Sequence, residues 1–146
     1  MRSVAERISR LVRLAPRERR LLLRAWWQLL FVNIALRLVS VTRLLPRTAA
    51  ATPTNPPLPL ARIGWLLEVA RRYSPLPSTC LKDALVLARL LRAEGIDAAV
   101  KIGVVRGDGG LRAHAWVDHR GAPLFQSADG GTYTALLAAT DPSLAR

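Results

Sequence analysis

Up to about residue 95 the apolar positions recur every third or fourth residue; from residue 98 they recur every second one. The change of period divides the chain into helical and sheet-forming parts and predicts an α+β fold. The first helical stretch, roughly 3–46, holds a short amphipathic segment closed by Leu11, Val12 and Leu14. Pro16 and Glu18 suit the first turn of a longer helix, because proline gives up no useful donor there and an acid favours the positive end. Leu22, Trp26, Leu29, Leu30 and 33–38 continue it to the stop at Leu45-Pro46. Residues 47–59, RTAAATPTNPPLP, carry four prolines, which forbid a continuous helix or central strand and mark a linker. A second unit, 60–146, follows, and the whole is expected to form one compact domain.

That unit begins with LARIGWLLEVARRYS, where Ile63, Leu66, Leu67 and Ala70 form one stripe. SPLPST breaks this helix, and Ser78 or Thr79 can cap the next, CLKDALVLARLLRAEG, which Gly95 ends. Three antiparallel strands are then expected at 98–105, 111–119 and 123–127, joined by RGDGG and RGA. The last stretch, 128–146, is weakly patterned, and YTALLAAT reads as a short closing helix.

The net charge of +12 comes almost wholly from arginine and predicts attraction to acidic partners or anionic lipid. The arginines are spread along the chain and no nucleic-acid motif is present, so nucleic acid is not an expected partner. A single cysteine excludes an internal disulfide and fits a reducing cytoplasm. With no Cys-x-x-Cys and no His-x-x-x-His, neither a metal nor another cofactor is expected. Residues 1–20 lack the features of a signal peptide. The run 21–41 has the length of a membrane span, but Arg24, Gln28, Asn33 and Arg37 interrupt it. A buried or partner-binding helix is expected, with peripheral membrane contact as the alternative.

Candidate chemistry centres on Cys80 and His114, 34 residues apart. Cys80 falls at a helix start, where unpaired N–H groups and the helix dipole stabilise a thiolate and can stabilise the oxyanion it forms on attacking a carbonyl. Free cysteines also commonly just pack in cores. On the strand 111–119, Leu111, Ala113, Ala115 and Val117 share an apolar face, while Arg112, His114, Trp116 and Asp118 share the other. His114 is thereby placed to act as base for Cys80, with Trp116 beside it as a substrate contact. Asp118 is about 13 Å along the same strand and cannot hold the imidazole. If RGA is a three-residue loop, Gln126 is the diagonal neighbour of His114 and can orient it. With a two-residue loop Gln126 turns to the other face, and Asp129 is the reserve.

The stretches STCLKDALVLARLLRAEGIDAAVKIGVV and LRAHAWVDHRGAPLF, with the helical LAPRERRLLLRAWWQLL before them, resemble the lasso peptide biosynthesis B2 proteins. That resemblance implies a transglutaminase-like (papain-like) cysteine peptidase core, with the cysteine helix packed on an antiparallel sheet. Cys80 matches the family's nucleophile, His114 its general base, and Gln126 the position of its acidic third member. The resemblance further implies removal of the leader from a lasso precursor peptide, with a separate leader-recognition B1 protein as partner and a lasso cyclase acting next. Arg19, Arg20 and Arg24 are the expected docking residues for partner or leader, and the pair Trp26-Trp27 is either an anchor or core. Two readings stay open beside the peptidase: acyl transfer to an amine at the same site, and a non-catalytic basic adaptor.

Overall fold

The computed structural model describes residues 13–46, 52, 56–107, 109–124 and 134–138. Helix α1, Pro16–Leu38, starts as the sequence suggests: Pro16 occupies the first turn and the Glu18 carboxylate accepts the Ala15 N–H at 3.0 Å. The helix does not run on to Pro46. Val39 is extended, with its N–H still bonded to the Ala35 carbonyl at 2.8 Å, and one further turn, α2, Val41–Leu44, follows Ser40. Val39, Val41 and Thr42 are β-branched, which lowers the helix propensity of this segment.

Helix α3, Leu60–Arg72, buries the expected Ile63, Leu66, Leu67 and Ala70. Helix α4, Cys80–Ala93, is capped by Thr79, whose hydroxyl accepts the Lys82 N–H at 3.4 Å. It ends in a Schellman turn: Ile96 N–H bonds the Leu91 carbonyl at 2.9 Å, Gly95 N–H bonds the Arg92 carbonyl at 3.1 Å, and Gly95 takes φ 79°. Its middle, Ala84 to Ala88 with Leu90 and Leu91, is buried between α1 and α3 on one side and the sheet on the other. One continuous core links Leu21, Ala25, Leu29 and Val32 of α1 to Ile63 and Leu66, to Leu85, Leu90 and Leu91, and to Val100, Ala115 and Val117. Each fully buried aliphatic side chain here contributes about 1.5–3 kcal/mol of transfer free energy.

The sheet has the order β3-β2-β1-β4 and is antiparallel throughout, with β1 Ala99–Gly107, β2 Gly110–His119, β3 Ala122–Leu124 and β4 Thr134–Ala138. Strand β4 corrects the sequence reading: the central residues of YTALLAAT pair with β1 as a fourth strand instead of forming a closing helix. A short run of Ala and Leu fits either state by pattern, and the open edge of β1 decides it. A register shift falls between Ile102 and Gly103. The hairpin between β2 and β3 closes with Arg120 and Gly121 alone, at φ 53° and 81°, the two positive values of a type I′ turn.

Candidate active site

The N-terminal turn of α4 sits at the mouth of a cleft of about 420 Å³. α3 supplies Glu68 and Arg71 to its wall, α4 supplies Cys80, Asp83 and Leu87, and β2 supplies His114 and Trp116. Cys80 is the first residue of its helix and is exposed, unlike a cysteine that only packs. The first intrahelical bond runs from Asp83 N–H to the Thr79 carbonyl at 3.0 Å, so the Cys80 and Leu81 N–H groups have no helix carbonyl to bond. They lie at the positive end of the dipole beside the sulfur.

His114 reaches the cleft from the sheet. On β2, Ala115 and Val117 are buried toward α4, opposite Ile102 and Val100, while Leu111 and Ala113 of the same row are exposed. His114 and Trp116 share the other row, half-buried, with rings stacked at 6.2 Å between centroids and 15° between planes. Gly103 stands opposite His114 on β1, so β1 places no side chain directly across from the ring. Strand β3 pairs with Val117–His119 among the described residues. The start of α4 and strand β2 thus bring Cys80, His114 and Trp116 to one cleft.

Asp118 is otherwise engaged, as its distance from His114 along the strand suggested: it pairs with Lys101 at 2.8 Å and accepts the Gly121 N–H at 2.9 Å. The two-residue turn is the case in which the sequence argument for Gln126 as diagonal neighbour fails; Gln126 and Asp129 themselves lie outside the described residues. Arg19, Arg20 and Arg24 are exposed on α1, and no residue of α1 lines the cleft. The tryptophan pair divides: Trp26 packs on the core and donates to the Tyr73 carbonyl at 3.3 Å, while Trp27 is exposed, edge-on to it.

Sequence reasoning missed a charged cluster beside the cysteine. Arg71 bonds Glu68 at 2.7 Å and approaches Asp83 at 3.5 Å, and Ser78 Oγ donates to the Asp83 carboxylate. Burial pushes the Asp83 carboxyl above the ordinary aspartate range, against the opposing pull of the Ser78 hydroxyl and the Arg71 guanidinium; the Glu68 carboxylate adds to the rise. The Glu68/Arg71 spacing was visible as an i,i+3 pair. Its contact with Asp83 depends on how α3 meets α4. Among the described residues, no group of three His, Cys, Asp or Glu side chains could hold a metal ion.

A cysteine on a helix start that shares a cleft with a histidine on an antiparallel strand fits one known family. The family model for the transglutaminase-like superfamily matches residues 20–138. The chain belongs to that superfamily. Transglutaminase-like proteins include cysteine peptidases and acyltransferases, and both chemistries begin with an acyl group on the cysteine. The match reaches from within α1 to the end of β4, so both the cysteine helix and the histidine strand lie inside it. No curated protein and no solved structure matches the chain.

Proposed function

We propose that this transglutaminase-like protein is a cysteine peptidase that removes the leader from a lasso peptide precursor, which a separate recognition protein delivers and a cyclase then closes. The observation that carries the peptidase reading is the exposed Cys80 at a helix N-terminus, sharing one cleft with His114. The assignment to lasso precursors rests on the STCLKD and AHAWVD stretches and their spacing.

In this mechanism His114 takes the Cys80 thiol proton and Sγ attacks the scissile carbonyl. The Cys80 N–H and the dipole of α4 stabilise the oxyanion. As the C–N bond breaks, the imidazolium returns the proton to the leaving amine, which is the new N-terminus of the core peptide. Water, deprotonated by His114, then hydrolyses the thioester, freeing the leader's carboxylate and regenerating the thiol. Trp116, stacked on His114, offers a wall to the peptide next to the scissile bond. For the group that orients His114, the resemblance favours Gln126 and the two-residue turn favours Asp129. Comparing Gln126→Ala with Asp129→Asn separates them.

A second reading, acyl transfer, keeps every step up to the thioester and replaces water with an amine. Membership of a superfamily that includes acyltransferases favours it as the alternative. The test follows peptide mass over time with the full chain, the recognition protein and the precursor, for the wild type, Cys80→Ala and His114→Ala. Release of one leader segment, lost in both variants, is expected. An adduct of peptide and amine would reassign the protein to acyl transfer, and intact peptide with a folded wild type would refute both readings.

A further inference from the structure

Helix α1 carries two apolar faces, and the core uses only one. Leu21, Ala25, Leu29 and Val32 lie against α3 and α4. On the opposite side Leu23, Trp27, Phe31, Ile34 and Leu38 recur at steps of four, four, three and four residues, which keeps them in one stripe about 22 Å long. Each is between 55 % and 78 % exposed. An exposed apolar stripe of this length marks a contact surface, because scattered surface leucines do not align.

The charge around the stripe says what covers it. From residue 19 to residue 67 the chain has seven arginines and no aspartate or glutamate. Arg19 and Arg37 flank the stripe on one side and Arg24 on the other; Arg20 stands at its N-terminal end, and all four are exposed. Arg43 on α2 is also exposed, and Arg89 lies over the Phe31 ring at 5.6 Å. The one acid of α1, Glu18, is bonded to Arg62. A second copy seated on this face would bring arginine against arginine with no carboxylate to balance them, which disfavours self-association. Anionic headgroups supply that balance, while the acyl boundary takes the apolar row and the tryptophan sits at the interface between them.

We infer that the outward face of α1 is a docking surface for an anionic phospholipid bilayer, with the helix lying in the plane of the interface. Helix α1 is long and apolar enough to cross a bilayer by length and composition. Crossing would strip Leu21, Ala25, Leu29 and Val32 from the core they complete, whereas lying flat keeps it intact. Since no α1 residue lines the Cys80 cleft, the cleft stays open to solvent in the bound state. The inference is independent of the chemistry proposed for Cys80.

The experiment is co-sedimentation of the full chain with phosphatidylcholine vesicles, with and without added phosphatidylglycerol. Binding is expected only with the anionic lipid, with release at about 0.5 M salt, where the screening length falls to a few Å. The variant Trp27→Glu/Phe31→Glu should lose about tenfold or more in partition, with an unchanged far-ultraviolet spectrum and an unchanged rate of Cys80 alkylation. Should that variant fail to fold, two other measurements decide. Arg19→Glu/Arg20→Glu/Arg24→Glu should lose binding, and brominated lipid should quench the wild-type tryptophan emission. Failure of the wild type to sediment with anionic vesicles overturns the inference, as does equal binding to both vesicle types. A concentration-dependent dimer without vesicle binding assigns the face to a second copy instead, and capture of the recognition protein without vesicle binding assigns it to that protein.

Discussion

Lys82, two residues beyond Cys80, reaches back into the helical layer and donates to the buried side-chain oxygen of Asn33 on α1. The same ammonium donates to the Pro77 carbonyl at 3.0 Å, so one cation ties α1, the loop before the cysteine and the first turn of α4 together. Asn33 is one of two buried polar or charged residues among those described, and this bond satisfies its side-chain oxygen. The position of Cys80 is thereby referred to the rigid helical layer as well as to its own helix cap.

Replacing Asn33 with leucine should destabilise the fold by about 1–3 kcal/mol, because the half-buried ammonium loses a partner. Lys82→Met should cost a similar amount, by stranding the asparagine. The double variant should cost less than the sum, with a coupling on the order of 0.5–3 kcal/mol. Urea denaturation of the four proteins measures it; strict additivity would show that the contact carries no energy. Alkylation of Cys80 should also change in Asn33→Leu, since the Pro77 carbonyl loses part of its anchor.

Asp83 sets a pH dependence whose sign follows from burial. Its folded pKa lies above the unfolded value, so the folded state holds the proton more tightly. The contribution favours folding below the ordinary aspartate range and is lost as pH rises through the raised folded value. The stability of the wild type should therefore fall relative to Asp83→Asn across that window and run parallel to it above. Urea midpoints from about pH 3 to pH 7 measure the difference, and parallel curves throughout would contradict the assignment.

Glu18 gives the opposite sign. The hydrogen bond from Arg62 at 2.6 Å holds its carboxyl below the usual glutamate range, against a smaller desolvation penalty, and the Ala15 N–H helps. Its stabilisation is present above the unfolded glutamate range and is lost as pH falls through the lowered folded value. Because Arg62 is partly exposed, Glu18→Gln should cost under about 1 kcal/mol at neutral pH and nothing in acid. Added salt should shrink the difference.

What the sequence revealed and what it hid divide along the range of the interactions. The stripe of α3, the Thr79 cap, the Gly95 stop and the His114/Trp116 row follow from spacing within one element, and spacing is visible in a sequence. Strand β4 was not legible, because Ala and Leu at 135–138 suit a helix until the open edge of β1 recruits them. The charged wall of Glu68, Arg71 and Asp83 depends on the packing of α3 against α4, which no local pattern encodes. RGA offered two loop lengths, and the choice between them turned on backbone angles at Arg120.

Arg120 holds φ 53° in a turn that needs two residues of positive φ, and it is the described non-glycine residue found there. Arginine pays a strain in that region that asparagine largely escapes, so Arg120→Asn should stabilise the hairpin by up to about 1 kcal/mol. Gly121→Ala should cost about 1 kcal/mol or more. A β-carbon there meets nothing within 4 Å, so the whole cost is conformational. The combination tests the turn itself, since Arg120→Asn in a three-residue loop would gain nothing. Thermal melts measure both changes. Because the turn sets the register that brings Leu124 opposite Val117 at the cleft wall, Gly121→Ala should also raise the KM for a peptide substrate more than it lowers kcat. A pure stability effect would leave both constants unchanged below the melting range.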